Sequence, residues 1–329
     1  MLKKIGKILG RFIIVLLVTV LGVIIFTAGV LFVVFKGPSP TSSDILTLSL
    51  KETSALKWVP GLFLSDKELK DIEERNNVAI SDETTDTSLI NIDDTLQDGP
   101  EVVVENITGS TYKGVVMIVE DPSLVFVGTK GVYDETPGMT ALDIAKRYDA
   151  QASINGGGFY DVGGQGNGGL PEGYVISEGD FAYGSKTSDY ITLGFTDENK
   201  LVVGVMNGQE AIDMNLRDAV CVAGIYAPPL IINGEAQEVQ GLGGGLNPRT
   251  AIGQREDGAV IMVVVDGRQA NSLGASFSDM IEIMQEYGAV NAGSLDGGSS
   301  TQMSYKGEIL NSPYPLYGAR KVPSAFVVR

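Results

Sequence analysis

The chain has 329 residues, 43% hydrophobic and 20% charged, with a formal net charge of −17. That balance builds one or two globular domains with a sizeable core and excludes disorder throughout. There is no histidine, so a Ser-His-Asp triad, a Cys-His pair and every His-ligated metal site are excluded, and carboxylates, amides, hydroxyls, lysine and arginine must carry any chemistry.

From Phe12 to Phe35 there are 24 consecutive residues without a charge, enough for a helix rising about 1.5 Å per residue to span a bilayer. Lys3, Lys4, Lys7 and Arg11 precede this run and only Lys36 follows it closely. That asymmetry predicts a cytoplasmic N-terminus and an extracytoplasmic remainder. The apolar run is long for a cleaved signal peptide and no clean small-x-small site follows, which favours an uncleaved signal anchor. Beyond residue 37 the chain holds 19 basic and 41 acidic residues, a net charge of −22. Nucleic acid and anionic membrane surfaces, which demand a basic stripe, are not expected partners, and the simplest role of the acidity is solubility.

Residues 38–98 read as a juxtamembrane segment followed by an acidic linker. Thr41 to about Leu64 has some amphipathic character, Ser65-Asp66-Lys67-Glu68 opens a helix to about Arg75 through a capping box, and 76–98 looks solvated. The globular domain is expected over 99–329. Val115–Val119 and Leu124–Val127 read as a hairpin across Glu120-Asp121-Pro122-Ser123. Thr140 to Tyr148 reads as a helix, with further strands at Ala152–Ile154, Tyr190–Phe195, Leu201–Met206, Leu230–Ile232, Thr250–Gly253, Ala259–Val265 and Ala325–Val328. Phe277, Met280, Ile281 and Met284 fall on one face of a helix over Ser276–Tyr287 that stops at Gly288. Most connections run strand to strand, so the expected fold class is α+β: a mixed, largely antiparallel sheet domain with a few packed helices, preceded by one N-terminal transmembrane helix. Cys221, the single cysteine, lies in the apolar run 219–223 and reads as a buried small hydrophobe.

Four polar islands, each set against an apolar stretch and rich in glycine, stand out: Ile154-Asn155-Gly156-Gly157-Gly158-Phe159-Tyr160, Asn247-Pro248-Arg249-Thr250-Ala251-Ile252-Gly253, Val265-Asp266-Gly267-Arg268 and Ser294-Leu295-Asp296-Gly297-Gly298-Ser299-Ser300-Thr301. A strand that ends in a polar side chain followed by glycine lets backbone turn sharply and a ligand approach closely. Four such ends predict one shared active site. In this order, together with Gly173-Tyr174-Val175-Ile176-Ser177-Glu178-Gly179, the islands resemble the phosphodiester glycosidase family over roughly Gly99 to Arg329. The first island departs from the family's usual Asn-Gly-Gly-Phe-Phe by an extra glycine, and Tyr160 stands where the second phenylalanine is usual.

The resemblance implies hydrolysis of a glycosyl-phosphate bond, with a carbohydrate phosphodiester, expected in a surface glycan or polymer, as substrate. Such an enzyme stabilises an oxocarbenium-like transition state and holds a phosphate that leaves already charged. Arginine forks match phosphate oxygens, so no cofactor is required in principle, while the question of a divalent ion stays open. Asp296 is the first candidate for the catalytic carboxylate, as nucleophile or as base for water: Gly297 and Gly298 leave room beside it, and Ser299, Ser300 and Thr301 can supply hydrogen bonds. Its alternative is an Asp-Gly turn cap. Asp266 is the second carboxylate, or else an ion-pair partner of Arg268 or Arg249. Arg249 and Arg268 are the candidate phosphate clamp, with Arg320 as a third, and structural salt bridges are the alternative for each. Asn155 is expected to bond a sugar hydroxyl or the catalytic water, or else to hold its turn. Gly156, Gly157 and Thr250 join the substrate-binding set. Tyr160, with Phe159, Tyr174 and Tyr183, offers a ring to stack on a sugar, against core packing for Phe159 and Tyr174. The run 161–167 is faintly like a calcium loop but reads better as a lid or rim, and no P-loop or dinucleotide fingerprint is present. The competing functions are a non-catalytic sugar-phosphate binding or exopolysaccharide assembly protein, and a transferase using the same groups.

Overall fold

The computed structural model of the chain describes residues 2–53, 55–81, 83–92, 102–161, 166–224, 226–313 and 318–329. The expected domain start at Gly99 and residues 162–165 of the predicted rim lie outside them.

Helix α1 (Leu2–Lys36) is long and apolar enough over Gly6–Lys36 to cross a membrane, and none of its most apolar window is buried in the protein. Ser39 caps α2 (Pro40–Lys51). The predicted capping box opens α3 (Asp66–Glu74), with Ser65 and Glu68 satisfying each other's backbone N–H groups. Phe35, Leu48, Leu64 and Ile72 form a small core where these three helices meet. The Asp44 carboxylate accepts hydrogen bonds from Arg75 at 2.6 and 2.9 Å and from Asn76 at 2.9 Å, fixing α2 against the end of α3. The C-terminal end of α2 is thereby aimed at the domain that follows.

That domain holds three sheets. The first runs, in spatial order, β1 (Val102–Thr108), β2 (Lys113–Val119), β13 (Val260–Val265), β12 (Arg249–Arg255), β14 (Ala289–Ser294), β10 (Pro229–Ile232) and β11 (Glu235–Ala236). The second runs β16 (Glu308–Ile309), β15 (Met303–Tyr305), β4 (Ala152–Asn155), β17 (Ser324–Val328) and β3 (Val125–Thr129). The third runs β6 (Asp180–Tyr183), β5 (Val175–Ser177), β9 (Leu216–Val222), β7 (Tyr190–Thr196) and β8 (Leu201–Met206). Every pairing among the described strands is antiparallel. The α+β class with largely antiparallel sheets is the one observed.

Side chains from all three sheets, among them Met117, Met262, Ile154, Phe326, Leu193 and Val220, share one central core. Helix α6 (Phe277–Glu286) lays Phe277, Met280, Ile281 and Met284 on the outer face of the first sheet against Ala251, Val263 and Ala292. Helix α4 (Ala141–Arg147) covers the second sheet and α5 (Gly208–Asp213) the third. Cys221 is buried in β9, and burial pushes its thiol up to about 12, which makes it an inert packing residue.

Two expectations fail, each for a reason of burial. The predicted hairpin is not formed: a single turn over Pro122–Leu124 carries the chain from β2 in the first sheet to β3 in the second. Both strands are apolar on both faces and nearly all buried. Each fully buried Val or Ile contributes about 1.5–3 kcal/mol, which an exposed hairpin face would forfeit. The stretch expected to be a solvated linker is exposed at Asn77, Ile80, Glu83, Asp86, Ser88, Leu89 and Asn91, yet it is anchored to the sheets at several points. Thr85 exchanges hydrogen bonds with the Val203 backbone at 2.9 and 3.1 Å, Ala79 donates to the Glu238 carbonyl, and Ile90 is 1% exposed. Its acidic composition masked a few anchoring side chains. Ile90→Ala should cost about 2–4 kcal/mol, seen as a lower urea midpoint; a change below about 0.5 kcal/mol would mean that this stretch is not part of the folded unit.

Candidate active site

The islands converge because of register. Strand β12 starts with Arg249, which pairs with Val265 at the end of β13, and Ala251 pairs with Ser294 at the end of β14. Antiparallel neighbours put the start of one strand beside the ends of the other two, so islands two, three and four share one edge of the first sheet. The first island comes from β4 in the second sheet and is stitched in by backbone. Asp296 N–H donates to the Gly156 carbonyl at 3.3 Å, and Gly156 N–H donates to that of Ser324 at 3.0 Å.

At this edge lies an open cleft of about 360 Å³. Its floor and walls include Asp296, Gly297, Gly298 and Ser299 after β14, Arg249, Arg268 and Arg320, and Gly158, Phe159 and Asp161 after β4. Glu172 and Ala223 add to it from the third sheet's side, and Lys51, Glu52, Thr53 and Lys57 close it from the end of α2.

Asp296 is half-buried. Loss of water pushes its carboxyl up to about 6, the nearby Asp161 and Glu172 charges add to the shift, and the Ser300 hydroxyl and Arg320 guanidinium oppose it. Ser300 acts there without a hydrogen bond of regular geometry. Its hydroxyl and that of Thr301 are buried and meet no partner among the described residues. Each arginine is held by its surroundings. Arg249 stacks on Phe277 at 3.9 Å, donates Nε to the Ala275 carbonyl at 3.3 Å, and grips the Glu52 carboxylate with both terminal nitrogens at 2.8 and 3.0 Å. Arg268 bonds the Asn247 amide oxygen at 2.9 and 3.1 Å and the Glu52 carbonyl at 3.1 Å. Arg320 lies over Phe159, pairs with Asp161 at 2.8 Å and reaches the Ser299 hydroxyl at 3.3 Å. Arg320 thus pairs with Asp161 and Arg249 with Glu52, neither of them the Asp296 or Asp266 weighed as salt-bridge partners.

Several candidates stand apart from the cleft. Asp266 does not line it: its carboxylate accepts hydrogen bonds from Asn311 Nδ2 and Ser312 N–H, each at 3.0 Å, and so anchors the loop after β16. Burial raises its carboxyl, but nothing aims it at the cleft. Asn155 is fully buried. Its Nδ2 donates to the Asp296 carbonyl at 2.6 Å, and its Oδ1 accepts from the Thr250 hydroxyl at 2.8 Å and Gln302 N–H at 3.1 Å. Asn155 and Thr250 thus brace the Asp296 backbone, and neither lines the cleft. Gly156 and Gly157 pass too close to Ser324 and to the Cys221 carbonyl for a side chain, with an added Cβ on Gly157 only 2.5 Å from that oxygen. Tyr160 is 56% exposed and off the cleft, and Tyr174 is a core residue bonded to Thr192.

Glu172, Glu52 and Asp161 were not singled out in the sequence as acids of the site. Glu172 carried a usable signal, since Pro171-Glu172-Gly173 before β5 is one more polar residue beside glycine at a strand end. Glu52 carried none, because its place depends on how α2 docks. Among the described residues no group of three or more acidic or cysteine side chains is arranged to hold a metal ion.

The phosphodiester glycosidase family matches residues 148–329, more than half of the sequence, and the chain belongs to that family. It is 25% identical over 230 residues to mouse N-acetylglucosamine-1-phosphodiester alpha-N-acetylglucosaminidase, a match covering 64% of this chain and 43% of the mouse protein. Over 66 residues, 20% of this chain and 10% of the other, it is 42% identical to the SPbeta prophage-derived protein YomE of Bacillus subtilis. The chain thus spans less than half the length of either relative. In fold it is similar to the zebrafish N-acetylglucosamine-1-phosphodiester alpha-N-acetylglucosaminidase catalytic domain, described as auto-inhibited by its pro-peptide, with a TM-score of 0.56 at 19% identity over 70% of this chain and 83% of that one. Family membership supports a hydrolase-like role.

The Asp296 carboxyl also makes a stability prediction that needs no substrate. Its pKa of about 6 in the folded protein lies above the ~3.9 of an unfolded aspartate, so the folded state binds this proton more tightly and loses stability as pH rises from about 4 to 6. Asp296→Asn, which never ionises, should be more stable than the parent at pH 7.5 by up to about 3 kcal/mol and equal to it near pH 4. A less stable variant at pH 7.5 would mean that the carboxylate is a structural anchor.

Proposed function

We propose that the protein is a membrane-anchored, extracytoplasmic hydrolase that cleaves the bond between a sugar anomeric carbon and a phosphodiester in a surface glycan or polymer. One observation carries the reading. A single cleft holds an anion seat on Arg249, occupied by the Glu52 carboxylate, together with Asp296, a desolvated carboxylate with no ion pair among the described residues. A phosphodiester oxygen pair has the bidentate geometry of that carboxylate. Arg268 and Arg320 add positive charge where the phosphate monoester would depart, so a strong general acid is dispensable. Asp296, mostly ionised at neutral pH, lies where positive charge on the sugar ring needs a counter-charge. The family relationship supports the same chemistry, and the name of the mouse relative makes N-acetylglucosamine the first sugar to test. The anchor reading rests on α1 and on the lysine and arginine residues that precede its apolar run.

Glu52 must leave Arg249 before a phosphate can bind there, which gives the segment ahead of the domain an inhibitory role. The pro-peptide of the zebrafish relative is a precedent for such a role. Because Glu52 is tethered through α2, it competes at high effective concentration.

Two outcomes test the proposal on a panel of benzyl sugar-1-phosphodiesters. Asp296→Asn should lower kcat by about a thousandfold while a non-hydrolysable sugar-1-phosphonate still binds; a parent that binds the phosphonate but turns over no member of the panel would instead be a binding protein. Glu52→Gln should raise kcat/KM by about 3- to 30-fold through a lower KM, and a fall would show that Glu52 helps to hold the substrate.

A further inference from the structure

Four carboxylates line the cleft, and their partners sort them. Glu52 is neutralised by Arg249 and Asp161 by Arg320. Asp296 and Glu172 have no ion pair among the described residues, and the Glu172 carboxylate accepts no hydrogen bond there either. The Glu172 side chain is half-buried but its oxygens are not sealed from solvent, so the carboxylate is open to water or a ligand in the cleft.

The backbone holds Glu172 firmly in this place. Residues 170–172 run antiparallel to 158–160: Tyr160 N–H donates to the Leu170 carbonyl at 3.1 Å and Glu172 N–H to that of Gly158 at 2.9 Å. Gly158 N–H in turn donates to the Cys221 carbonyl at 2.9 Å. The side chain therefore emerges from a three-strand junction at the rim, close enough to Asp296 for its charge to raise that carboxyl. The extra glycine of the first island now has a physical role. A Cβ at Gly158 would stand 2.8 Å from Glu172 Oε2, so a side chain at 158 requires the carboxylate, the flexible end of its side chain, to shift from this position. The Gly158 backbone itself has ordinary negative φ, so the need is for space and not for conformation.

We propose that Glu172 is the general base of the hydrolysis, the second catalytic carboxylate beside Asp296, and that Gly158 is present to make room for it. This rests on the glycosyl-phosphate reading above. In the step, Glu172 takes a proton from water as the water oxygen forms its bond to the anomeric carbon. The bond from that carbon to the phosphate oxygen breaks, and its electron pair leaves with the phosphate monoester. Glu172 then releases the proton to solvent, so one water is consumed and no other reactant is needed. Burial raises the Glu172 carboxyl, which makes it a stronger base than a free carboxylate once ionised. Of the charged groups that act on Asp296 across the cleft, Arg320 favours its ionised form, while Asp161 and Glu172 oppose it.

The experiment uses the full-length protein and the sugar-1-phosphodiester it turns over best. Glu172→Gln should lower kcat at least 100-fold with KM within threefold of the parent. In Glu172→Ala, azide, a nucleophile that needs no deprotonation, should restore turnover and give a glycosyl azide, an outcome that a purely structural role cannot produce. Gly158→Ala, which shifts the carboxylate by contact while leaving residue 172 itself unchanged, should lower kcat about tenfold and keep the parent's melting temperature, so it tests the assignment even if the Glu172 variants fold poorly. Parent-like kcat in both Glu172→Gln and Gly158→Ala, raised KM with unchanged kcat, or azide without effect on a folded Glu172→Ala would overturn the assignment while leaving the hydrolase reading intact. A parent inactive on every sugar-1-phosphodiester would instead remove the hydrolase reading, and this assignment with it.

Discussion

Everything in the cleft depends on β12 lying antiparallel between β13 and β14. That pairing puts Arg249 beside the last residues of two other strands and gathers three islands that are far apart in sequence. The buried Asn155 amide completes the arrangement. With three hydrogen bonds to three different segments, it ties the end of β4 to the Asp296 carbonyl, the Thr250 hydroxyl and the Gln302 backbone. Replacing its carboxamide would leave buried donors and acceptors unpaired, at about 1–3 kcal/mol each.

On that frame the cleft sets two kinds of charge against each other. Arg249, Arg268 and Arg320 are each fixed by stacking or hydrogen bonds, so once Glu52 leaves Arg249 the guanidinium groups themselves need move little to meet a phosphate. The carboxylates divide into a neutralised pair, Glu52 and Asp161, and an unneutralised pair, Asp296 and Glu172. Groups with raised carboxyl pKa values beside preorganised cations form an arrangement suited to proton transfer and to stabilising charge on a sugar ring. The small helical unit of α1, α2 and α3 adds a further constraint, because the helices that follow the long apolar helix carry Glu52 onto Arg249.

Much of this was legible in the sequence. Binary patterning marked α6, α4 and the central strands to within a residue or two, and the capping box at Ser65 located α3. Polar residues beside glycine at strand ends marked the loops that build the cleft, and Asp296, Arg249, Arg268 and Arg320 do share it. What the sequence leaves hidden is information that a single strand does not carry. Asp266 has the same Asp-Gly signature as Asp296, but its partners Asn311 and Ser312 lie 45 and 46 residues away. The turn after β2 reads as a hairpin until one knows that both flanking strands are buried on both faces. Glu52 enters the cleft only through the docking of α2 on the loop that holds Gly245 and Leu246.

The central claim is that water attacks the anomeric carbon and phosphate leaves, and hydrolysis in water enriched with oxygen-18 tests it most directly. Cleavage of a sugar-1-phosphodiester by this protein should place the heavy oxygen in the released sugar and none in the phosphate monoester. Label in the phosphate would mean attack at phosphorus, and the roles given to Asp296, Glu172 and Arg249 would not stand.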